Sequence, residues 1–369
     1  MLAWLGLKAE GMFDEMKLIL PDGRVIGGAR AVVEIARQTW WLRPLHWIGS
    51  HPNGLKILDR GYRWIAGRRK CANGACVVKP DRPGAATWLP LIVLPSTAVL
   101  LKSTMPGWVF MWVLALAIFG GCKWLALKTA RAAHPDSVRR RLAFMVGWPG
   151  MDATLFLDEH RHPIAPPLAG FGWTAVKTVL GAALIWCGVR LIPADWQIAQ
   201  GWLGMIGLVL LLHFGVFDLL AFFWRRIGVV AEPIMRKPMG STSLTELWGW
   251  RWNSAFHQLV HRHVFRPAAR RIHPQGAMWL VFLVSGVIHD LVISLPAGGG
   301  YGLPTAYFLF QALGVSIERS ESGRAFGLGK NWQGWLFTMV VALAPVGWLF
   351  HREFILNVIF PFLHAMNAV

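Results

Sequence analysis

Long apolar runs constrain this chain of 369 residues more than any other feature. A helix crosses the hydrocarbon core of a bilayer, about 30 Å thick, with about 20 residues. Seven runs approach or exceed this length: 85–101, 107–127, 168–192, 199–224, 277–295, 303–318 and 332–350. A shorter run follows at 354–365. The sequence therefore predicts an all-α, multi-pass membrane protein with about seven to eight transmembrane helices.

Charge and composition agree with this class. Hydrophobic residues make up 55% of the chain, and the 22 tryptophans suit the boundary between membrane and water. Three loops carry 18 Lys or Arg residues: 128–167, 225–276 and 319–331. The opposite side carries three: Lys102, Arg190 and Arg352. Because positive loops favour the cytoplasm, we expect these loops and the N-terminal region there. The net charge of +18 then indicates a lipid bilayer as partner and no nucleic acid.

Residues 1–83 are polar and basic and precede the membrane domain. Lys17–Leu20 and Arg24–Ile26 flank Pro-Asp-Gly, which predicts two strands and a tight turn. Ala29–Arg37 and Leu55–Gly67 have the spacing of amphipathic helices. The runs DGRVIGGARAVVEIARQTWWLRPLHWIG and LDRGYRWIAGRRKC resemble the C-terminal half of DCC-type thiol-disulfide oxidoreductases. This resemblance implies a truncated thioredoxin-like, small α/β segment in the cytoplasm, without that family's redox cysteines.

Cys71 and Cys76 lie inside this region and are separated by the four residues Ala-Asn-Gly-Ala. Without a second pair or a nearby histidine, they are a weak signal for a metal. Two reduced thiols, or an occasional disulfide, explain them more simply. We expect no metal site.

A helix start is predicted just before the stretch from Trp248 to Asp290. Ser241 or Ser243 can cap a helix that begins near Leu244. Glu246 follows Ser243 by three residues and completes a capping box.

Polar residues repeat along the same predicted helix. Asn253, His257 and His261 lie at positions i, i+4 and i+8, so they share one face. This face either meets water or lines the mouth of a cavity.

His289 lies 12 residues into the run at 277–295. At 1.5 Å per residue this is about 18 Å from the cytoplasmic boundary, slightly past the middle of the hydrocarbon core. An imidazole there is costly, which indicates a functional site, although a hydrogen bond between helices would also explain it. Ser285 lies one turn earlier on the same face. Asp290 is about 100° round the helix and is a poor orienter of His289.

Lys177, His213 and Asp218 are further ionisable residues within apolar runs. Lys177 and Asp218 lie at similar depth, so we predict an ion pair between them, with a proton relay as the alternative.

Two motifs resemble a known family. STSLTELWGWRWN and the later FLVSGVIHDL, whose His lies 36 residues after the Asn of the first motif, resemble the wax-synthase branch of the membrane-bound O-acyltransferases. Trp148–Asp152 also resembles a motif of bacterial members. In this family an Asn that ends a Trp-rich motif and a later intramembrane His mark the active site. Trp250 departs from the family, which usually has a basic residue there.

The resemblance implies acyl transfer from acyl-CoA to a long-chain alcohol, which forms a wax ester. His289 would be the general base, and Asn253 would hold the thioester or its oxyanion. The residues expected at the substrates are Trp248, Trp252, Arg251, Ser285, Arg262 and Arg266. The arginines would grip the phosphates of coenzyme A, or would bind anionic lipid. Acyl-CoA is a co-substrate, and no permanently bound cofactor is expected.

Other functions stay open at this stage. The acceptor could be diacylglycerol, a sterol or a polysaccharide, although polysaccharide-acetylating relatives usually have His at the position of Asn253. A protein of another class, a proton-coupled transporter, would use His289, Lys177 and Asp218 as a proton path.

The predicted topology can be tested with an impermeant thiol reagent on intact cells. Ser137→Cys and Ser322→Cys place thiols in two of the basic loops. Both thiols should be shielded from the reagent, because the positive-inside rule places these loops in the cytoplasm. Labelling of both from outside would contradict the topology.

Overall fold

The computed structural model describes residues 17–20, 22, 24–39, 42–66, 69–72, 75–78, 84–130 and 138–369. Two positions of the predicted turn, 21 and 23, and the loop residue Ser137 lie outside the described residues. The chain forms two compact units, Met1–Arg82 and Pro83–Val369.

The first unit is a small α/β arrangement. Its elements are β1 (Lys17–Ile19), β2 (Val25–Gly27), α1 (Gly28–Gln38), α2 (Arg43–Gly49), α3 (Pro52–Ala66), β3 (Arg69–Ala72) and β4 (Ala75–Val78). Strands β1 and β2 pair antiparallel, and so do β3 and β4, where Cys71 is opposite Cys76.

The predicted first hairpin and both predicted helices of this unit are confirmed. Helix α2 and the second hairpin were not predicted. Seven helical residues are too few for a periodic pattern to stand out, and the strands of the second hairpin carry no alternation of apolar and polar residues.

The second unit is helical. Its helices are α4 (Ala85–Leu100), α5 (Gly107–Lys128), α6 (Val138–Gly147), α7 (Ala153–Leu157), α8 (Gly170–Leu191), α9 (Gln197–Arg226), α10 (Leu244–Glu246), α11 (Ser254–Val260), α12 (Pro274–Ala297), α13 (Leu303–Arg319), α14 (Glu321–Ala325), α15 (Asn331–Leu349), α16 (Arg352–Phe354) and α17 (Phe360–Ala365). Three continue as π-helical segments: α10 through Leu247–Arg251, α11 through His261–Phe265 and α16 through Ile355–Ile359.

Every apolar run predicted as a span is helical, but the helices differ in length. Within the described residues, five are long and apolar enough to cross a membrane: α5, α8, α9, α12 and α15. Helix α4 has 16 residues and α13 has 17, so each is shorter than the usual span. The predicted total of seven to eight transmembrane helices is not confirmed and stays a prediction.

The helix predicted to run through Asn253 is interrupted there. Ser243 caps α10 as predicted, since its Oγ accepts a hydrogen bond from the backbone N of Glu246 at 2.9 Å. The Glu246 carboxylate returns to the backbone N of Thr242 rather than to that of Ser243. The π-helical segment ends at Arg251, and Asn253 adopts a left-handed conformation with φ of 45°. Asn tolerates this region better than most residues, which allows the chain to turn and start α11.

Asp290 joins α12 to the start of α13. Its Oδ1 accepts hydrogen bonds from the backbone N of Gly302 at 2.8 Å and from Ser294 Oγ at 2.9 Å. Its Oδ2 accepts from the backbone N of Thr305 at 3.1 Å. Asp290 therefore caps α13 and does not bond to His289, as the sequence predicts. Gly286 lets the two helices approach, because a Cβ there would lie 2.7 Å from Thr305 Cα.

Glu318 joins the other end of α13 to the start of α10. It is only 5% exposed, and its carboxylate accepts hydrogen bonds from the backbone N of Leu244 at 2.5 Å and from Thr245 Oγ1 at 2.7 Å. Negative charge at a helix start satisfies N–H groups that have no partner within the helix. Helix α13 is therefore anchored to the two segments that carry Asn253 and His289.

Two lysine side chains within the spans have hydrogen-bond partners. Lys177 Nζ donates to Asp218 Oδ2 at 2.9 Å, which confirms the predicted ion pair. Lys123 is fully buried and donates to the carbonyl of Gly150 at 2.7 Å, with its Nζ 3.2 Å from the centroid of the Phe144 ring. This contact fixes the loop that contains Trp148–Asp152 against α5.

Glu318→Ala should lower the stability of the protein by about 1–3 kcal/mol, because buried backbone N–H groups of α10 would lose their acceptor. The thermal unfolding midpoint of the purified protein in detergent measures this. Glu321→Ala is the matched control, since Glu321 is exposed. Equal midpoints for the two variants would mean that the Glu318 cap does not stabilise the fold.

Candidate active site

Two cavities meet inside the second unit, and Asn253 and His289 lie between them. One has a volume of about 320 Å³ and the other a volume of about 450 Å³. Five side chains line both cavities and are named here the shared wall: Trp248, Trp252, Asn253, His289 and Phe308. A molecule in either cavity therefore reaches the same two polar side chains.

The two cavities differ in chemistry. The smaller one, named the polar cavity, is also lined by Thr245, His257, His261 and Arg319. Arg319 is exposed and marks its opening to solvent. The larger one, named the apolar cavity, is lined mainly by Met, Leu, Val, Ile and Phe side chains. The polar cavity suits a ligand that has both polar groups and hydrocarbon, because much of its lining is also apolar, and the apolar cavity suits a hydrocarbon chain.

His289 has the geometry of a general base. Its Nδ1 lies 2.7 Å from the backbone carbonyl oxygen of Ser285, one turn earlier on α12. A carbonyl oxygen only accepts, so the imidazole proton is on Nδ1 and Nε2 keeps its lone pair. The ring also packs against Phe308, with 4.5 Å between centroids. Nε2 is therefore the atom that can accept a proton.

Asn253 has one polar atom occupied and one available. Its Oδ1 accepts a hydrogen bond from the backbone N of Phe256 at 3.2 Å and so caps α11. Its backbone N lies 3.3 Å from Met235 Sδ. Because Oδ1 is used by the helix, the Nδ2 amide is the part of this side chain that can donate to a bound molecule.

The two tryptophans hold the shared wall in place. Trp248 Nε1 donates to Gln311 Oε1 on α13 at 3.3 Å, and its ring packs against Phe308. The backbone N of Trp252 donates to the carbonyl of Leu247 at 2.8 Å, which closes the turn before Asn253. Both tryptophans line the two cavities, and their contact with a substrate stays a prediction.

A column of stacked rings lines one side of the polar cavity. His257 and His261 stack with centroids 5.6 Å apart, and His261 stacks on Phe265 at 5.2 Å. The shared face predicted from spacing therefore lines a cavity. Burial lowers the pKa of His257, and the nearby His261 lowers it further, while a hydrogen bond with the backbone of Trp248 opposes this. The column is therefore neutral at neutral pH.

The three arginines predicted at the substrates lie outside the lining of both cavities. Among the described residues that line the two cavities, Arg251, Arg262 and Arg266 do not occur. Arg251 is held by Glu246 Oε1 at 2.8 Å, and the other two are exposed on α11 and just beyond it. Their places follow from neighbours in space that the sequence does not reveal.

Ser285 and Arg319 also differ from expectation. Ser285 lines the polar cavity, but its hydroxyl donates to the carbonyl of Val281 at 2.9 Å. Arg319 was not predicted as a site residue, although it lines the polar cavity and donates from Nε to Thr245 Oγ1 at 3.2 Å. Its place directly after the apolar run at 303–318 was the one available signal.

These features define a helical protein of membrane type in which the Asn253 amide and the His289 imidazole line two adjoining cavities. Residues 231–311 match the model of the membrane bound O-acyl transferase family. The match includes both Asn253 and His289. The resemblance to this family is thereby confirmed over this segment.

Individual relatives agree with the family match. The chain is 28% identical to a probable long-chain-alcohol O-fatty-acyltransferase 7 of Arabidopsis thaliana over 149 residues, which is 36% of this chain and 42% of that protein. It is 26% identical to the long-chain-alcohol O-fatty-acyltransferase of Simmondsia chinensis over 137 residues, 34% of this chain and 38% of that protein. The chain thus spans about two fifths of the length of these relatives.

A shorter match of higher identity involves a different named acceptor. The chain is 47% identical to diacylglycerol O-acyltransferase 1C of Glycine max over 49 residues, which is 13% of this chain and 10% of that protein. The relatives that this chain resembles are therefore named for two kinds of acceptor alcohol.

The stacked histidines predict a loss of stability in acid. The pKa of His257 is below its ordinary value of 6.5 in the folded protein, so the unfolded chain binds more protons once the pH falls below about that value. His257→Phe should keep the stacking and reduce the fall in thermal midpoint between neutral pH and pH 5. His364→Phe, at an exposed site outside both cavities, is the control. Identical pH curves for wild type and His257→Phe would contradict this.

Proposed function

We propose that this protein is a membrane-bound O-acyltransferase that transfers a fatty acyl group from acyl-CoA to the hydroxyl of a long-chain alcohol and so forms a wax ester. The observation that carries the proposal is the position of Asn253 and His289 in the wall shared by a polar and an apolar cavity. The names of the relatives support the reaction class and the alcohol acceptor.

The polar cavity suits the donor. Acyl-CoA combines a charged nucleotide, a pantetheine arm with two amides, and a thioester. Arg319 at the opening would meet the phosphates, and Thr245 with the stacked histidines would line the path of the arm. Arg319 begins the loop 319–331, which the charge distribution places in the cytoplasm, where acyl-CoA is present.

The apolar cavity suits the acceptor. A long-chain alcohol needs an apolar surface for its chain and one polar point for its hydroxyl. His289 supplies that point within a lining of mainly apolar side chains. The alcohol would enter from the bilayer, where it dissolves.

The proposed reaction is an addition of the alcohol to the thioester followed by loss of the thiolate. His289 Nε2 takes the hydroxyl proton as the alcohol oxygen forms a bond to the thioester carbon. The Asn253 amide donates to the carbonyl oxygen as it gains negative charge. The C–S bond breaks, and the proton passes from His289 to the departing thiolate of coenzyme A. No covalent acyl-enzyme is required.

The transporter alternative has less support. It needs Lys177 and Asp218 on the same path as His289. Lys177 is bonded to Asp218 at 2.9 Å, and of the three only His289 lines either of the two cavities among the described residues. Release of free coenzyme A by the purified protein, dependent on added alcohol, would favour acyl transfer over transport.

His289→Ala should reduce ester synthesis by about 10²–10⁴-fold, because the general base is lost. Binding of acyl-CoA should be largely kept. The rate of ester synthesis is measured with palmitoyl-CoA and hexadecanol in membranes with matched protein levels. The binding of acyl-CoA is measured with a non-hydrolysable analogue. Near wild-type synthesis by this variant would overturn the mechanism.

Asn253→Asp separates the two uses of this side chain. The carboxylate can still accept from the backbone N of Phe256 and cap α11, but it cannot donate to the oxyanion. We expect a loss of about 10²–10³-fold in turnover with the thermal midpoint nearly kept. Asn253→Ala should lower both the turnover and the thermal midpoint, because alanine can neither donate to the oxyanion nor cap α11. Wild-type turnover in Asn253→Asp would mean that Asn253 only caps the helix. Combined with His289→Ala, the losses should be far from additive.

A further inference from the structure

Helix α6 carries an apolar stripe on its outer face. Val138, Leu142 and Val146 are 71%, 60% and 88% exposed. They lie at positions i, i+4 and i+8, so they share one face of the helix. Phe144 lies on the opposite face and is fully buried. A contiguous apolar face on a short helix outside the long spans indicates contact with another apolar phase.

Two contacts fix the depth of α6. Trp224, in the last turn of α9, donates from Nε1 to the carbonyl of Gly147 at the end of α6, at 2.9 Å. Near the end of α5, Lys123 places its Nζ 3.2 Å from the centroid of the Phe144 ring. Among the described residues, α8 is the one long span between α5 and α9, so α5 and α9 end on the same side of the membrane. Helix α6 therefore lies at the membrane–water boundary, on the side that the charge distribution places in the cytoplasm.

Arginines border the stripe on both sides. On a helix with 3.6 residues per turn, Arg139 lies about 20° beyond Val146, and Arg141 lies about 60° before Val138. Both arginines are exposed. At this depth an arginine can lay its hydrocarbon stem along apolar surface while its guanidinium reaches phosphate oxygens. The stripe and its borders thus match the two layers of a membrane surface, acyl chains and anionic headgroups.

We propose that α6 is an in-plane interfacial helix, with its apolar stripe below the headgroups and with Arg139 and Arg141 bound to the phosphates of anionic lipids. A helix that is apolar on one face and basic beside it binds such a surface through both features. A protein partner would have to cover the stripe at a depth where lipid already surrounds the ends of α5 and α9. This contact is separate from both cavities and does not depend on the proposed reaction.

Fluorescence quenching in nanodiscs measures the depth of the stripe. A fluorophore is attached to Val138→Cys, Leu142→Cys or Val146→Cys, one at a time, in the full chain without its four native cysteines. Lipids with a nitroxide close to the headgroup should quench it more strongly than lipids with a nitroxide near the chain end. Aqueous iodide should quench it weakly. Val179→Cys is the control for depth, because Val179 is 67% exposed in the middle of α8, and it should show the reverse order for the two lipids.

Each other pattern would overturn the proposal. Strong quenching by iodide without quenching by lipid would place the stripe in water. Protection from all quenchers would mean that a protein, which includes a second copy of this chain, covers it. The same order of quenching as at Val179 would place α6 inside the hydrocarbon.

The headgroup is tested with the label at Leu142→Cys. The shallow nitroxide is carried by phosphatidylglycerol or by phosphatidylcholine, each titrated into nanodiscs of unlabelled phosphatidylcholine. Phosphatidylglycerol should have the higher apparent affinity, and Arg139→Gln should reduce this preference by about fivefold, the effect of one arginine near an anionic surface. Arg60→Gln removes the same charge from an exposed position of the first unit and should leave the preference unchanged. Equal affinities for the two lipids, or an unchanged preference in Arg139→Gln, would overturn the binding of phosphate.

Discussion

Two carboxylates, Asp290 and the buried Glu318, hold the two ends of α13 in place. Asp290 caps the start of this helix from α12, and Glu318 reaches from its last turn to cap α10. Each satisfies backbone N–H groups that would otherwise be unpaired in an apolar interior. Between these anchors Phe308 packs on His289 and Gln311 binds Trp248. Helix α13 thus sets the distance between His289 and the Trp-rich segment, although it contributes neither of the two residues proposed to act in catalysis.

The two central side chains each depend on their own local backbone. The carbonyl of Ser285 fixes the tautomer of His289, and the start of α11 occupies Oδ1 of Asn253. A base oriented in this way needs no partner carboxylate in the shared wall. This arrangement suits an apolar site, because a buried charge without a partner would be expensive there. It also explains why Asp290 lies next to His289 in sequence but serves a different helix.

The sequence predicted the parts of this structure that depend on local pattern or on depth. The apolar runs became helices, Ser243 became a cap, and Lys177 met Asp218. The break at Asn253 was missed, because three polar residues at helical spacing look continuous even when a left-handed residue interrupts the helix. Which arginine lines a cavity could not be predicted, for another reason. Whether Arg251 meets a ligand or Glu246 depends on the turn made by the π-helical segment, and Arg319 joins the site only because α13 packs beside α10.

Because Asn253 is in the left-handed conformation, α11 begins directly at the shared wall. His257 and His261 follow one and two turns after Asn253 and line the polar cavity, and the Asn253 amide lies at the start of this helix. The side chain in the wall between the two cavities is therefore also the cap of the helix that carries the stacked rings. The orientation of the Asn253 amide and the orientation of α11 are coupled, because Oδ1 is hydrogen-bonded to the backbone N of Phe256.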